Sequence, residues 1–509
     1  MFESGKYRVN APVFVPAVLI ILVFAVATLA NLDRANAAFG SLQTAIASSF
    51  GWFYVFTANA LLLFALAAAF GRGGSVRLGG ADARPEFSRW EWFAMLFSAG
   101  MGIGLLFYAV AEPLLHYRAP PGGSAIEATT AARDAMGFTF LHWGLHAWAI
   151  YGVIGLGLAL VAFNRGLPLT VGAVLAPILP KRSHALRHAI DVLAIVATVF
   201  GIATSLGLGA TQVNAGLGRL FGLDNSLGVQ LVLVGVITAI ALVSVALGLS
   251  AGIKRLSELN MSLAAILGLF VLFGGPTLFI LNGLVENTGH YLQHLPRLAT
   301  WNETWTGGEW QNDWTVFYYA WWISWAPFVG MFIARISRGR TVREFVLGVL
   351  LAPTLLTFLW LTIFGNTALH FEMFGEAGLA AAASESVPEA TFFLLEKLPL
   401  ATVTTFAAVI IVVTFFVTSA DSGALVLDFV ASGGREGTPA AQRILWAVTL
   451  GVIAAVLLAG GGLTALQTAS LASGLPFAAV LLAICLAVWR VLGDEARKRK
   501  SATGAKPTG

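Results

Sequence analysis

Apolar residues run along this chain in long blocks, not in strict alternation, and short polar stretches carrying most of the charges separate the blocks. A helix needs about 20 predominantly apolar residues to cross the hydrocarbon core of a bilayer. About twelve such runs can be placed, over residues 12–30, 50–70, 91–117, 139–163, 187–208, 228–250, 260–283, 314–335, 343–368, 400–428, 440–461 and 472–492. The pattern therefore predicts an all-α polytopic membrane protein with about twelve transmembrane helices.

Two of the runs are interrupted. The third contains Ser98-Ala99-Gly100-Met101-Gly102-Ile103-Gly104, and the eighth contains Trp325-Ala326-Pro327-Phe328-Val329-Gly330. Glycines at every second position do not share one helical face, which favours a distorted backbone over a packing groove. A proline removes a backbone donor from the helix interior. Both runs are thus expected to break at mid-depth. Paired interruptions at corresponding places mark transporters built from inverted repeats, whose site forms where the breaks meet. Spans 3–7 (residues 91–283) and 8–12 (residues 314–492) would be the two five-helix repeats. An N-terminal tail and two accessory helices would fill residues 1–90. Between the repeats, residues 284–313 hold Glu286, His290, His294, Glu303, Trp305 and Trp310, which suit an amphipathic helix and loop on the outer face. Residues 493–509 read as a short basic tail, expected to be disordered.

Composition sharpens this picture. With 58% hydrophobic and 11% charged residues and a mean hydropathy of +0.81, little chain is left for a soluble domain, and nothing suggests a nucleic-acid partner. The net charge of +4 reflects topology. Of the 30 Lys and Arg residues, all but Arg34, Arg118, Arg133, Arg219, Arg297 and Lys397 fall on one side of the proposed spans. By the positive-inside rule both termini are cytoplasmic. The first run is too long for the h-region of a cleaved signal, so it is expected to remain as a helix. Cys485 is the sole cysteine and reads as a small buried hydrophobe.

The chemistry is aromatic. Trp321-Trp322-Ile323-Ser324-Trp325 places three indoles inside an apolar run, and Trp143, Trp148 and Tyr151 in the fourth span are spaced by five and three, within one broad helical arc. Indole faces attract quaternary ammonium groups. Two such clusters would form opposing walls of a cage for a trimethylammonium head.

Together, Gly100-Met101-Gly102-Ile103-Gly104, Trp143-x4-Trp148-x2-Tyr151, Trp321-Trp322-Ile323-Ser324-Trp325 and Arg335-Ile336-Ser337-Arg338-Gly339-Arg340 resemble the betaine/carnitine/choline transporter family over nearly the whole chain. The resemblance implies a central cage of Trp143, Trp148, Tyr151 and Trp322. It implies a cytoplasmic-side path lined by Trp321, Trp325 and Phe328, and a sodium site of Ser98, Met101, Phe415, Thr418 and Ser419. A second family sodium site matches Thr198 and Ile202; isoleucine offers no ligand, which puts a second ion in doubt although Thr204 lies nearby. A homotrimer is typical of the family. Sodium is the coupling ion implied, with no other cofactor.

Asp191 and Asp421 near span ends suggest ion pairs with Arg187, Arg335 or Arg338, and His142 and His146 flank the cage and keep proton coupling open. No nucleophile–base pair, metal-ligand cluster or phosphate loop is apparent, which argues against an enzyme acting on choline head groups. With no acid evident beside the four cage aromatics, a zwitterion is preferred to choline, its carboxylate taking backbone N–H donors around Met101, Gly102 and Gly104. The expectation is a sodium symporter for glycine betaine or a related osmoprotectant in a bacterial inner membrane. A proton-coupled choline or carnitine transporter is the alternative.

Overall fold

The computed structural model describes residues 2–4, 7–100, 102–123, 126–247 and 250–504. A two-stranded antiparallel hairpin opens the chain, β1 (Phe2–Ser4) against β2 (Tyr7–Val9). It is tied to the body through Arg8 N to Gln442 Oε1 (3.0 Å) and Asn10 N to the Ala431 carbonyl (2.9 Å). Helices follow: α1 (Ala11–Ala30), α2 (Leu32–Phe70), α3 (Arg89–Gly100), α4 (Ile103–Arg118), α5 (Ala128–Trp143), α6 (Leu145–Ala159) and the short α7 (Val171–Val174). Then come α8 (His184–Phe221), α9 (Leu227–Leu247), α10 (Ser250–Gly274), α11 (Thr277–Ala299), α12 (Phe317–Arg335) and α13 (Val342–Leu361). The chain closes with α14 (Thr367–Phe374), α15 (Leu379–Glu385), α16 (Ala390–Glu396), α17 (Ala401–Ala431) and α18 (Ala440–Gly504).

Among the described residues, ten helical stretches are long and apolar enough to cross a membrane. The expected twelve are reached by two local breaks. α18 is two spans in one, because Gly461 and Gly462 leave helical geometry, and Gly462 takes φ +57° with ψ −130°, open in practice only to glycine. The third expected span is divided: α3 stops at Gly100 and α4 starts at Ile103, with Gly102 extended at φ −155°. Met101, at the centre of that break, lies outside the described residues.

Four expectations need correction. The eighth span is not broken at Pro327, since α12 runs through it without interruption. One lost backbone bond is tolerable in a helix buried among its neighbours. Its distortion lies earlier, in a π-helical turn at Asn312–Val316. The fourth span, expected to be continuous, breaks at Gly144, where a Cβ would sit 2.9 Å from the Phe358 ring. The amphipathic outer helix begins at Thr277, earlier than the polar pattern suggested, just past the Gly275-Pro276 stop. The basic tail is helical to Gly504; Asp494 and Glu495 brace it, reaching Arg165 at 3.1 and 3.5 Å and Arg497 and Lys498 one turn on.

Exposed Leu, Val and Ile side chains crowd α1, α9, α10 and α17, the apolar surface a bilayer covers. Inside, α12 packs on α6 and α8 through glycines. A Cβ on Gly201 would stand 2.7 Å from the Trp325 ring, while Gly155 and Gly330 meet backbone to backbone, each Cβ position 3.2 Å from the other's main chain. Small residues at a crossing let membrane helices approach this closely. That approach brings the aromatic faces of α6 and α12 together.

Candidate functional site

Trp143 ends α5, Trp148 and Tyr151 lie on α6, and Trp322 lies on α12; all four are buried. The Gly144 break means that Trp143 and Trp148 are not on one regular helix, so the arc inferred from their spacing is replaced by two successive helices. The four still converge. Trp143 meets Trp322 edge to face at 4.9 Å between centroids, Tyr151 meets Trp322 at 6.3 Å and Trp148 meets Tyr151 at 5.6 Å. They line one cavity of about 30 Å³ with Trp325 and Thr357. The polar edges of two indoles are tied away from it: Trp143 Nε1 donates to Glu112 Oε2 and Trp322 Nε1 to the His142 carbonyl, both at 2.7 Å. Ring faces are left to define the interior.

Trp325 also lines a second, larger cavity of about 440 Å³ that reaches Arg335. Ser98, Phe328, Phe415, Thr418 and Ser419 share its wall. The side chains expected around sodium, apart from Met101, are therefore neighbours of one space. Thr418 Oγ1 donates to its own helix at the Thr414 carbonyl (2.9 Å), which leaves oxygen lone pairs available. Ser257 and Asn260 of α10 line the same cavity, a contribution that sequence reasoning missed.

Other residues fall elsewhere. Trp321 lines neither cavity; its ring is stacked on Trp322 (4.8 Å) and Phe317 (5.5 Å), and its N–H meets Ser205 Oγ at 3.2 Å. Gly104 serves this stack, because a Cβ there would lie 2.6 Å from Trp321 and 3.0 Å from Trp143. A Cβ on Gly102 would stand 3.8 Å from the Trp325 ring. Thr198 and Ile202 are buried on α8, and Ile202 fills the space beside Gly423 of α17. Thr204 is committed to the Leu466 carbonyl (2.7 Å) and Ser470 (3.0 Å).

A buried carboxylate, unforeseen beside the cage, sits behind Trp143. Glu112 Oε2 accepts from Trp143 Nε1 and Tyr318 OH (2.5 Å), and Oε1 meets His142 Nδ1 (2.7 Å) and His116 Nε2 (3.2 Å). Its signal was present in the sequence as Ala111-Glu112-Pro113, an acid inside an apolar run, which by itself marks a functional candidate. Glu112, His116 and His142 also have metal-ligand chemistry, with donor atoms within 4.8 Å of one another, contrary to the expectation of no such cluster. Their Oε1-to-nitrogen distances are those of direct hydrogen bonds, and four donors already complete the carboxylate. His142 Nε2 meets Thr315 Oγ1 (2.9 Å) and His146 Nε2 meets Asn59 Oδ1 (3.2 Å).

Among the described residues Asp191 and Asp421 make no direct ion pair and hydrogen-bond to neutral partners, although Arg187 lies close enough to Asp191 to act on it through space. Asp191 Oδ1 accepts from Gly172 N at the start of α7 (2.7 Å), and Asp421 Oδ2 accepts from Ser244 Oγ (2.7 Å). Arg335 pairs with Glu436 instead (2.8 Å).

Residues 12–497 match the sequence model of the BCCT, betaine/carnitine/choline family transporter. The chain is 45% identical over 466 residues to the glycine betaine transporter OpuD of Bacillus subtilis, covering 91% of this chain and 90% of that protein. It is 43% identical over 502 residues to a glycine betaine/proline/choline transporter of Vibrio parahaemolyticus, covering 95% and 90%. It is 40% identical over 512 residues to the high-affinity choline transport protein of Escherichia coli, covering 99% and 76%. With a buried aromatic cage, broken helices and a family match along almost its whole length, the chain belongs to the betaine/carnitine/choline transporter family and is a transporter, not an enzyme.

Proposed function

We propose that this protein imports glycine betaine, or a related quaternary ammonium zwitterion, by sodium symport with alternating access. The observation that carries the reading is that Trp325 lines two neighbouring cavities, the aromatic cage and a second one bearing the oxygens of Ser98, Thr418 and Ser419. A hard cation takes oxygen ligands, and unwound or interrupted helices supply them. The names of the relatives support the substrate class, since two of them carry glycine betaine and two carry choline.

A zwitterion fits better than choline. Glu112 is completed by four donors and stands behind Trp143, so it makes no direct contact with a head group in the cage and does not by itself favour choline over a zwitterion. A carboxylate, by contrast, has a donor waiting: the Trp325 N–H is buried with no partner among the described residues, while the far edge of the same ring faces Gly102 at the N-terminal end of α4. In this reading the protein sits in a bacterial inner membrane with both termini and the Arg335-Arg338-Arg340 turn on the cytoplasmic side, spans 3–7 and 8–12 forming the two repeats. The trimer is carried by family resemblance.

The test is counterflow of labelled glycine betaine in proteoliposomes under an inward sodium gradient, where a carrier exchanges and a channel does not. Uptake that persists in sodium-free potassium buffer and collapses with a protonophore would assign proton coupling instead.

A further inference from the structure

We propose that Glu112 is the remote counter-charge of the quaternary ammonium site: a positioning residue that acts through Trp143 without touching substrate and sets the preference of the cage for cationic over neutral heads. The inference rests on the cage being the substrate site.

The geometry supports a charged carboxylate. Four donors from three elements, α4, α5 and α12, converge on its two oxygens, and the side chain has no exposure. An ionised carboxylate accepts only, so four convergent donors are the complement of that form. Neutral tautomers suffice: His116 donates from Nε2, its Nδ1 having no partner among the described residues, and His142 donates from Nδ1 while its Nε2 accepts from Thr315. The cluster then carries one uncompensated negative charge in a medium that screens it poorly.

That charge is directed at the cage. The bond from Trp143 lies in the plane of the indole, and a charge-assisted bond to the N–H edge polarises the ring toward a more negative face, the face a trimethylammonium group meets. A second link reaches the opposing wall, because the His142 ring sits on Glu112 while the His142 carbonyl holds the Trp322 N–H. Anchoring two indoles would need only a neutral acceptor. Burying an ionised carboxylate is costly, and the return on that cost is an attraction that depends on the charge of the ligand.

The experiment compares choline with its uncharged carbon isostere, 3,3-dimethylbutan-1-ol, as competitors of labelled glycine betaine binding to the purified full-length protein. A structural role would weaken both alike; a counter-charge acts on the cation alone. Glu112→Gln is expected to weaken choline competition roughly tenfold and to leave the alcohol within about twofold. Glu112→Asp keeps the charge but withdraws it by one methylene, and its choline-to-alcohol ratio should fall between wild type and Glu112→Gln. If Glu112→Gln does not fold, the aspartate variant alone decides, since choline must still lose more than the alcohol. Equal losses for both competitors, or no change in either, would overturn the inference. Trp322→Ala separates it from the site assignment: unchanged glycine betaine binding in that variant sinks both, whereas weakened binding with equal choline and alcohol losses at Glu112 sinks only the counter-charge.

Discussion

Trp322→Ala removes the residue on which the cage turns. Its ring meets Trp143 at 4.9 Å and Tyr151 at 6.3 Å, is stacked on Trp321 at 4.8 Å, and is fixed by the bond from Nε1 to the His142 carbonyl. A desolvated cation–π contact with one indole is worth about 1–2 kcal/mol, the upper part of the usual range, because this ring is buried. At about 1.4 kcal/mol per factor of ten, that predicts roughly five- to thirtyfold weaker glycine betaine binding. Trp322→Phe keeps a π face and loses the N–H bond, so a loss of only about two- to fivefold is expected. Tryptophan-fluorescence titration of the purified protein reads both. Trp305→Ala is the control, because Trp305 is 97% exposed on the loop after α11 and should leave affinity unchanged. If Trp322→Ala bound glycine betaine as tightly as wild type, or if Trp305→Ala lost as much, the cage would not be the binding site.

Gly104→Ala should push Trp321 and Trp143 apart and weaken glycine betaine binding at least several-fold, since overpacking a closed site costs about 1–3 kcal/mol; an unperturbed titration would show that the stack yields freely. Thr418→Ala with Ser419→Ala is expected to raise the sodium concentration needed for half-maximal uptake while largely sparing substrate affinity at saturating sodium. A sodium curve identical to wild type in proteoliposomes would remove α17 from the ion site. Wild-type uptake should show a sodium Hill coefficient near one, because Ile202 offers no ligand oxygen, and Ile202→Thr should steepen it. A wild-type value near two that the substitution leaves alone would mean a second ion is held elsewhere.

Much of the cage was legible because indoles clustered inside apolar runs have few bland explanations, and alternate glycines at 100, 102 and 104 announced a break that packing alone does not require. The other breaks show the limit of that logic. Pro327 looked like an interruption, yet the helix passes through it, while Gly144, one of four glycines in its apolar run, gave no warning of the break that separates Trp143 from Trp148. Partnerships across helices were hidden for a different reason. Nothing local to Trp322 says that its N–H will find the carbonyl of His142, 180 positions away, and nothing local to Asp191 says that its hydrogen-bond partner is the backbone at Gly172. Glu112 is readable as an acid deep inside the third span, but its partners are not, because His142 and Tyr318 lie 30 and 206 positions away.

The backbone contact between Gly155 and Gly330 turns the two helices into a pair of tongs. Measured along the axes at 1.5 Å per residue, Tyr151 stands about 6 Å from this rivet on α6 and Trp322 about 12 Å from it on α12. Side chains at a crossing can shear and repack, but two main chains this close have no side chain between them to yield, which fixes the separation of the helices at the joint. A turn of about 10° there sweeps the jaw at Trp322 through roughly 2 Å. Angular changes too small to disturb the rivet are thereby enough to part or close ring faces, and a methyl group added at either glycine would act on the whole lever, not on one contact.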